Sequence, residues 1–252
     1  MIRIATLNAR NTADGWRRRR RPLLVRQLVE LDPHVIGLQE LRSIPSQAGS
    51  IARRAGRRAP ADPILAYRRH RAFKTGLLGL WEGIAVLSRL PVVDRGSLDL
   101  GAQRRIVLRV TVRLPEGPTL EIYNAHLASV GETLRTAQAG RILEWMATRP
   151  CPYQVLLGDL NSRPGSPTID LVSSQMRSAH LVVHGTEPAR TAPTPLRLGY
   201  TGTGGVLDYI FVSQALEVHD ASVVFDQIDP VDSRLTASDH YGLTATVSVR
   251  GA

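Results

Sequence analysis

Cysteine is all but missing from this chain of 252 residues: Cys151 is the only one. An intrachain disulfide is therefore impossible, and a zinc site built of thiolates is excluded as well. Long apolar runs are missing too. No stretch reaches the ~18 residues that a membrane-spanning helix needs. Met1 to Ala5 enter an apolar alternation at once, without the basic segment and hydrophobic segment of a secretory leader. Together these absences lead us to expect a cytoplasmic protein. Lysine is nearly absent, with Lys74 the single example, so the other 31 basic residues are arginines. Low-complexity linkers and short-period repeats are also lacking, which favours a single domain over residues 1–252.

The residues that are present suit a globular protein: 43% are hydrophobic, enough for a sizeable core. The net charge of +10 is unevenly placed. Residues 1–71 hold 16 Arg against 5 Asp or Glu, a balance of +11, and the rest of the chain has a balance of −1. Arg17 to Arg21 form one run. Arg53, Arg54, Arg57, Arg58, Arg68, Arg69 and Arg71 form a looser cluster. Either arginine is simply the preferred cation of this coding sequence, or the cluster attracts polyanions. The planar guanidinium fork suits phosphate, which supports the second reading.

Strands are expected at residues 2–8, 35–39, 84–87, 92–100, 106–114, 120–126, 154–157, 207–212, 221–225 and 243–249, from β-forming apolar runs and the turn residues between them. Helices are expected from Pro22 to Leu31, stopped by Asp32-Pro33, and from Thr133 to Met146. A further short helix follows Pro164-Gly165-Ser166-Pro167. Residues 43–63 read as a short helix and loops, and residues 184–205 as loop. The pattern implies an α/β fold with two sheets packed face to face and helices outside.

Six of the apolar segments adjoin chemistry-bearing residues. These are Asn8, Glu40, His126, the pair Asp159 and Asn161, Asp208, and the pair Asp239 and His240. Strand ends gather on one edge of an α/β sheet, so residues far apart in sequence can share a cleft. Carboxylates, amides and imidazoles together suit a hard divalent cation and phosphoester hydrolysis. Singly, each motif has an ordinary reading: Asp159-Leu160-Asn161 as an Asx-rich turn, Ser238-Asp239-His240 as a loop, His126 as a structural histidine, Glu82 as a solvated edge residue. Asp208 is harder to dismiss, because a carboxylate between Leu207 and Tyr209 in a buried strand needs a partner, and His240 is a suitable one. Glu82 would pair with His126 in the same way.

The order Asn8, Gln39-Glu40, Gly83 to Arg89, Asn124-Ala125-His126-Leu127, Gly158-Asp159-Leu160-Asn161, Asp208-Tyr209, Ser238-Asp239-His240 resembles the endonuclease/exonuclease/phosphatase superfamily, to which deoxyribonuclease I belongs. The resemblance spans nearly the whole chain. It implies a four-layer α/β sandwich, two packed mixed β-sheets flanked by helices, and one or two Mg²⁺ (or Mn²⁺) ions. It further implies that Glu40 is the main metal ligand, helped by Asn8 and Asp239. Asp159 and Asn161 would position water and phosphate. His240, held by Asp208, would act as base or phosphate-orienting group, and His126 would stabilise the phosphoryl oxygen. Abasic-site repair enzymes of the family usually carry tyrosine in place of His126, so that activity is disfavoured.

The leading expectation is a metal-dependent phosphodiesterase or nuclease acting on nucleic acid, with Arg17, Arg18, Arg89 and Arg105 as substrate contacts. The alternative is a phosphatase or phosphodiesterase of a lipid headgroup, sugar phosphate or nucleotide. A non-catalytic nucleic-acid-binding protein is the third reading. A monomer is favoured.

Overall fold

The computed structural model describes residues 1–10, 19–42, 46–58, 68–73, 82–115, 117–196 and 204–251, with the backbone alone at 57, 58 and 68–73. The first half forms β1 (Ile2–Asn8), α1 (Arg21–Leu31), β2 (Val35–Leu41), α2 (Gln47–Arg58), β3 (Arg68–Phe73) and β4 (Gly83–Ser88). The middle adds β5 (Val92–Asp99), β6 (Ile106–Arg113), β7 (Thr119–His126), α3 (Glu132–Ala147) and β8 (Gln154–Asp159). The chain continues through α4 (Pro167–Ser173), β9 (Arg177–Ser178), α5 (Ala179–His184), β10 (Asp208–Val212), β11 (Leu216–Val224) and β12 (Gly242–Val249).

These strands make two six-stranded sheets, ordered β11-β12-β1-β2-β4-β3 and β5-β6-β7-β8-β10-β9. Each is mixed: β1 and β2 pair in parallel, as do β7 and β8, and the other pairings are antiparallel. The sheets face one another across Ile4, Val35, Val86, Val110, Ile122, Leu157, Ile210 and Val247. Alternate residues point outward under helices. Ala5, Leu7, Ile36 and Leu38 meet Leu24 and Leu28 of α1 and Ile51 of α2. Tyr123, Leu156 and Phe211 meet Ile142, Leu143 and Met146 of α3 and Ile169 and Val172 of α4. Central strands buried on both faces read as continuous apolar runs, which is why they were legible in sequence. The result is the four-layer α/β sandwich.

Helix ends follow local chemistry. Pro22 sits in the first turn of α1, where its missing N–H costs nothing. Asp32 ends that helix in the left-handed region, its N–H bonded to the Leu28 carbonyl. The Ser166 hydroxyl caps α4 by accepting from the Ile169 N–H. Four features depart from expectation. The helix at 47–58 is a full α-helix. The strand β3 was not anticipated, because Arg-Arg-His-Arg-Ala-Phe shows no alternation and its strand state comes from pairing with β4. The short β9 and α5 fall in a segment with no apolar period, since Leu181, Val182 and Val183 are all exposed. Finally, β11 begins at Leu216, ahead of a bulge between Val218 and Asp220.

A side-chain amide crosses the apolar interface between the sheets. Asn124 of β7 donates to the Leu38 carbonyl at 3.1 Å and the Ala85 carbonyl at 2.9 Å, both in the other sheet. Its Oδ1 accepts from Gln39 at 2.6 Å, and Gln39 also donates to Thr6 at 3.0 Å. Gly37 leaves room: a Cβ there would stand 2.2 Å from Leu157 and 3.1 Å from Asn124. Replacing Asn124 with Leu removes three buried hydrogen bonds, two to carbonyls and one from Gln39. Asn124→Leu is expected to lower unfolding stability by about 3 kcal/mol or more, since each unsatisfied buried group costs about 1–3 kcal/mol. A urea midpoint equal to that of the unmodified chain would show that the bridge contributes nothing.

Candidate active site

Strand direction brings the functional residues to one edge. Asn8 and Glu40 lie at the C-terminal ends of β1 and β2, and His126 and Asp159 at those of β7 and β8. Asp208 opens β10, directly opposite Asp159 in the antiparallel ladder. Asp239 and His240 precede β12, and Glu82 and Arg105 precede β4 and β6. A cleft of about 420 Å³ opens there, lined by Glu40, Glu82, Arg105, His126, Asp159, Asn161, Asp239 and His240 among others.

Backbone strain marks this edge. Glu40, Asn161 and Arg10 adopt φ of 49°, 51° and 48°, the left-handed region that non-glycine residues avoid. Glu40 lies inside a register shift between Leu38 and Leu41 in the β2–β4 ladder, which frees it from regular pairing. Gly158 has φ 135°, and a Cβ there would lie 1.9 Å from the Ala125 carbonyl oxygen, so glycine alone lets β8 deliver Asp159 beside β7.

The centre of the cleft is the Asp159 carboxylate. Its Oδ2 accepts from Asn8 Nδ2 at 2.9 Å and faces His126 Nε2 at 3.6 Å and His240 Nε2 at 4.0 Å. Its Oδ1 accepts from the Asn161 N–H at 2.9 Å. Asn8 Nδ2 also reaches Glu40 at 3.2 Å, so one amide joins carboxylates from both sheets. His240 Nδ1 bonds Asp208 Oδ2 at 2.8 Å. The other oxygen, Asp208 Oδ1, is buried and has no hydrogen-bond partner among the described residues.

The second imidazole is held differently from the pairing with Glu82 considered above. Arg105 Nη1 lies 2.9 Å from His126 Nδ1, while Glu82 is 3.9 Å from that nitrogen and 3.6 Å from Arg105. A guanidinium can only donate, so Nδ1 accepts and the proton sits on Nε2, facing the cleft. Arg105, Glu82 and His126 thus form a triangle of mutual contacts.

The remaining expected contacts divide. Arg89 follows β4 at the opposite sheet edge, where it pairs with Asp32, so the structure does not bring it to the cleft. Arg17 and Arg18 lie outside the described residues. The rest of that run is engaged internally: Arg19 pairs with Asp232, Arg21 donates to Ser50, and Arg20 is fully buried, donating to the Ala237 and Arg10 carbonyls. A run of like charges read as a polyanion surface is, at these positions, a set of loop anchors. Arg53 and Arg54 are exposed on α2. The side chains of Arg57, Arg58, Arg68, Arg69 and Arg71 lie outside the description. Two cleft arginines escaped the sequence reading, Arg10 and Arg163. Arg10 pairs with Asp239 at 2.6 Å. The available signal was position, two residues past Asn8 and two past Asn161.

Charge is concentrated here beyond what protein partners neutralise. Burial, then the neighbouring Asp208, pushes Asp159 up to about 7. Burial and Glu82 raise Glu40. Burial opposes protonation of His240, but Asp208 outweighs it and lifts the imidazole to about 10. A site that holds protons this tightly wants positive charge.

A family model described as the endonuclease/exonuclease/phosphatase family matches residues 5–240. The chain belongs to that family. Similar solved structures include the catalytic domain of human Nocturnin with bound sulfate, at 22% identity and TM-score 0.78, covering 98% of this chain and 93% of that one. Bacteroides thetaiotaomicron mannosyl-6-phosphatase is 18% identical with TM-score 0.77, covering 98% and 100%. D. rerio TDP2 in complex with a single-stranded DNA product is 16% identical with TM-score 0.77, covering 98% and 99%. No curated protein matches the chain by sequence. Members of the endonuclease/exonuclease/phosphatase family are metal-dependent phosphoesterases, nucleases and phosphatases among them.

The donor set fits the divalent ion that the family usually uses. Glu40, Asp159 and Asp239 are hard oxygen donors lining one cleft, and Asp208 Oδ1 is an orphaned buried anion oxygen. Ligand atoms of Asp159, Asp208 and His240 lie within 4.8 Å of one another. His240 Nδ1 is already committed to Asp208, so it contributes no ligand at that nitrogen. Asn8 turns its Nδ2 to the carboxylates while its Oδ1 accepts from the Arg10 N–H at 3.1 Å. Serving as a ligand would require its amide to turn over.

A cation and protons compete for these oxygens. Because Asp159 and Glu40 hold protons above the ordinary carboxylate range, metal affinity is expected to rise with pH through about 7. Calorimetric Mn²⁺ titrations at pH 5.5 and 8.0 check this, and equal affinities would contradict it.

Proposed function

We propose that this chain is a divalent-metal-dependent phosphoester hydrolase, with Mg²⁺ or Mn²⁺ as its ion and a phosphodiester of nucleic acid as its leading substrate. The convergence of Asn8, His126 and His240 on Asp159 Oδ2 carries this reading. A phosphoester offers little covalent chemistry to the protein, so positioning and charge stabilisation do most of the work. When bound, the cation supplies Lewis-acid charge to a phosphoryl oxygen.

In this reading the chain's own groups divide the remaining tasks. Glu40 and Asp239 hold the ion, with Asn8 beside them. Asp159 and Asn161 orient the attacking water and the phosphate. His240, fixed by Asp208 through Nδ1, presents Nε2 toward the water and takes its proton or aligns the phosphate. A base must be unprotonated, and the surrounding carboxylates oppose that until positive charge enters the cleft. His126 directs its Nε2–H at the developing charge, its other nitrogen held by Arg105.

The second reading, a phosphatase or phosphodiesterase of a small phosphoester, draws support from two observations. The cleft is the size of one small ligand. The described part of the arginine run serves the fold, which removes some of the expected polyanion surface. Salt separates the two. Turnover of polynucleotide falls steeply with salt, since each neutralised phosphate contributes about one unit to the slope, whereas turnover of a small phosphoester barely changes.

Chelation by EDTA is expected to abolish hydrolysis of bis-p-nitrophenyl phosphate, with Mg²⁺ or Mn²⁺ restoring it. Activity that persists in chelator would remove the metal role. His240→Ala is expected to lower kcat about 10²- to 10⁴-fold, as loss of a general base does. Near-normal turnover in a folded His240→Ala protein would exclude this residue from the reaction.

A further inference from the structure

Away from the cleft, the short helix α5 carries two histidines four residues apart, His180 and His184. That spacing puts both on one helix face. Both ends of the helix are fixed. The Ser178 hydroxyl accepts from the Leu181 N–H, and Gly185, at φ 71°, returns its N–H to the Leu181 carbonyl. The pair is thereby held in register, with ring centroids 4.3 Å apart and ring planes inclined by 39°. Neither histidine is among the described residues that line the reaction cleft.

Each imidazole commits one nitrogen to the backbone. His180 Nδ1 lies 2.7 Å from the Thr186 carbonyl oxygen, and His184 Nε2 lies 2.6 Å from that of Ala221 in β11. A carbonyl oxygen can only accept, so these two nitrogens carry the protons. In the neutral rings His180 Nε2 and His184 Nδ1 then hold lone pairs, and neither has a hydrogen-bond partner among the described residues. A carbonyl on the other ring nitrogen is what fixes the tautomer of a metal-bound histidine. Two imidazoles on one ion, at bonds of about 2.0–2.1 Å and an angle near 90°, have centroids about 4.5 Å apart. The observed separation is close to that. Glu187 adds negative charge nearby. Its Oε2 is buried with no hydrogen-bond partner among the described residues, and it interacts electrostatically with His180.

We propose that His180 and His184 form a metal site separate from the reaction cleft. It takes a divalent transition ion that favours imidazole nitrogen, Ni²⁺, Cu²⁺ or Zn²⁺, over the oxygen-seeking Mg²⁺. Water fills the remaining positions. An ion there clamps α5 along its length and, through the bond to Ala221, holds it on β11. The competing reading is structural: an imidazole in the last turn complements the helix dipole and ties α5 down without any metal. The proposal does not depend on the phosphoester reading.

Ni²⁺ titrated calorimetrically into the chain, free of any affinity tag and with Mg²⁺ in large excess, tests it. Ni²⁺ is expected to bind and to raise the melting temperature. His180→Asn and His184→Gln keep a donor for the Thr186 and Ala221 carbonyls while removing the ring lone pairs. Each is expected to weaken Ni²⁺ binding about 10-fold or more, since losing merely an outer partner of a metal-bound histidine costs about 10- to 100-fold. Glu40→Gln, which alters the cleft, should leave the Ni²⁺ affinity intact. Absence of Ni²⁺ binding under excess Mg²⁺, unchanged affinity in both histidine variants, or loss of binding in Glu40→Gln would overturn the site. A lower metal-free melting temperature in the histidine variants, with Ni²⁺ affinity unchanged, would leave the structural role alone standing.

Discussion

The candidate cleft is split between two sheets, and its geometry depends on how those sheets are held together. Glu40 and Asn8 belong to one sheet, His126, Asp159 and Asp208 to the other. Apolar packing sets an approximate separation but resists sliding weakly, because it is non-directional. The amide of Asn124 adds direction. It bonds two carbonyls of the opposite sheet and the side chain of Gln39, the residue before Glu40, from a position two residues before His126. Closer to the surface, Asn8 repeats the arrangement by bonding Glu40 and Asp159 together. Two stacked amide bridges thus fix carboxylates from separate sheets in one frame. Such precision matters because small misplacements of reacting groups are costly in rate.

Electrostatics then explain why the frame has to be stiff. Buried acids repel one another, and Asp159 and Asp208 face each other across one ladder position. Left alone, the strands would relieve the repulsion by spreading or by taking up protons. The raised affinity of Asp159 and His240 for protons corresponds to the second outcome, and the hydrogen-bonded ladder of β8 and β10 opposes the first. A divalent cation relieves the same repulsion while leaving the carboxylates ionised. The fold therefore stores an unmet demand for positive charge, and this makes a family resemblance into a physical argument for metal binding.

Much of this was readable in sequence because the same residues carry two signals. Val155 to Leu157 announce a strand and Asp159 ends it; Val35 to Leu38 announce another and Glu40 ends it. Where a strand lacks apolar character the signal fails, as in β3, whose existence depends on β4 as a partner. Charge proved harder to read than pattern. Asp208 was assigned to His240 because a buried carboxylate needs a partner, and they lie 2.8 Å apart. Glu82 was offered to His126 by the same logic and lies 3.9 Å from its Nδ1, but Arg105 joins both, a three-body arrangement that pairwise reasoning does not generate. Another ion pair, Arg109 with Glu121 on the outer face of β6 and β7, lies under α3 and gave no sequence signal either.

The arginines show why composition overstates function. A net positive count treats every guanidinium as available to solvent and ligand, but a guanidinium also satisfies carbonyl oxygens that loops leave exposed. Arg20 does this while fully buried, joining the segment after Asn8 to the segment before Asp239. With the Ser238 hydroxyl bonded to the Asn8 carbonyl, it draws together the two loops that carry Asn8 and Asp239. Arg89 closes the opposite edge on Asp32. Deducting such residues leaves a smaller group facing the cleft: Arg10, Arg105 and Arg163. Their different partners give them different tasks. Arg10 pairs with Asp239, Arg105 holds an imidazole nitrogen, and Arg163 lines the wall beside Gly205. The +10 of the whole chain is therefore a poor measure of the positive charge that the cleft itself presents.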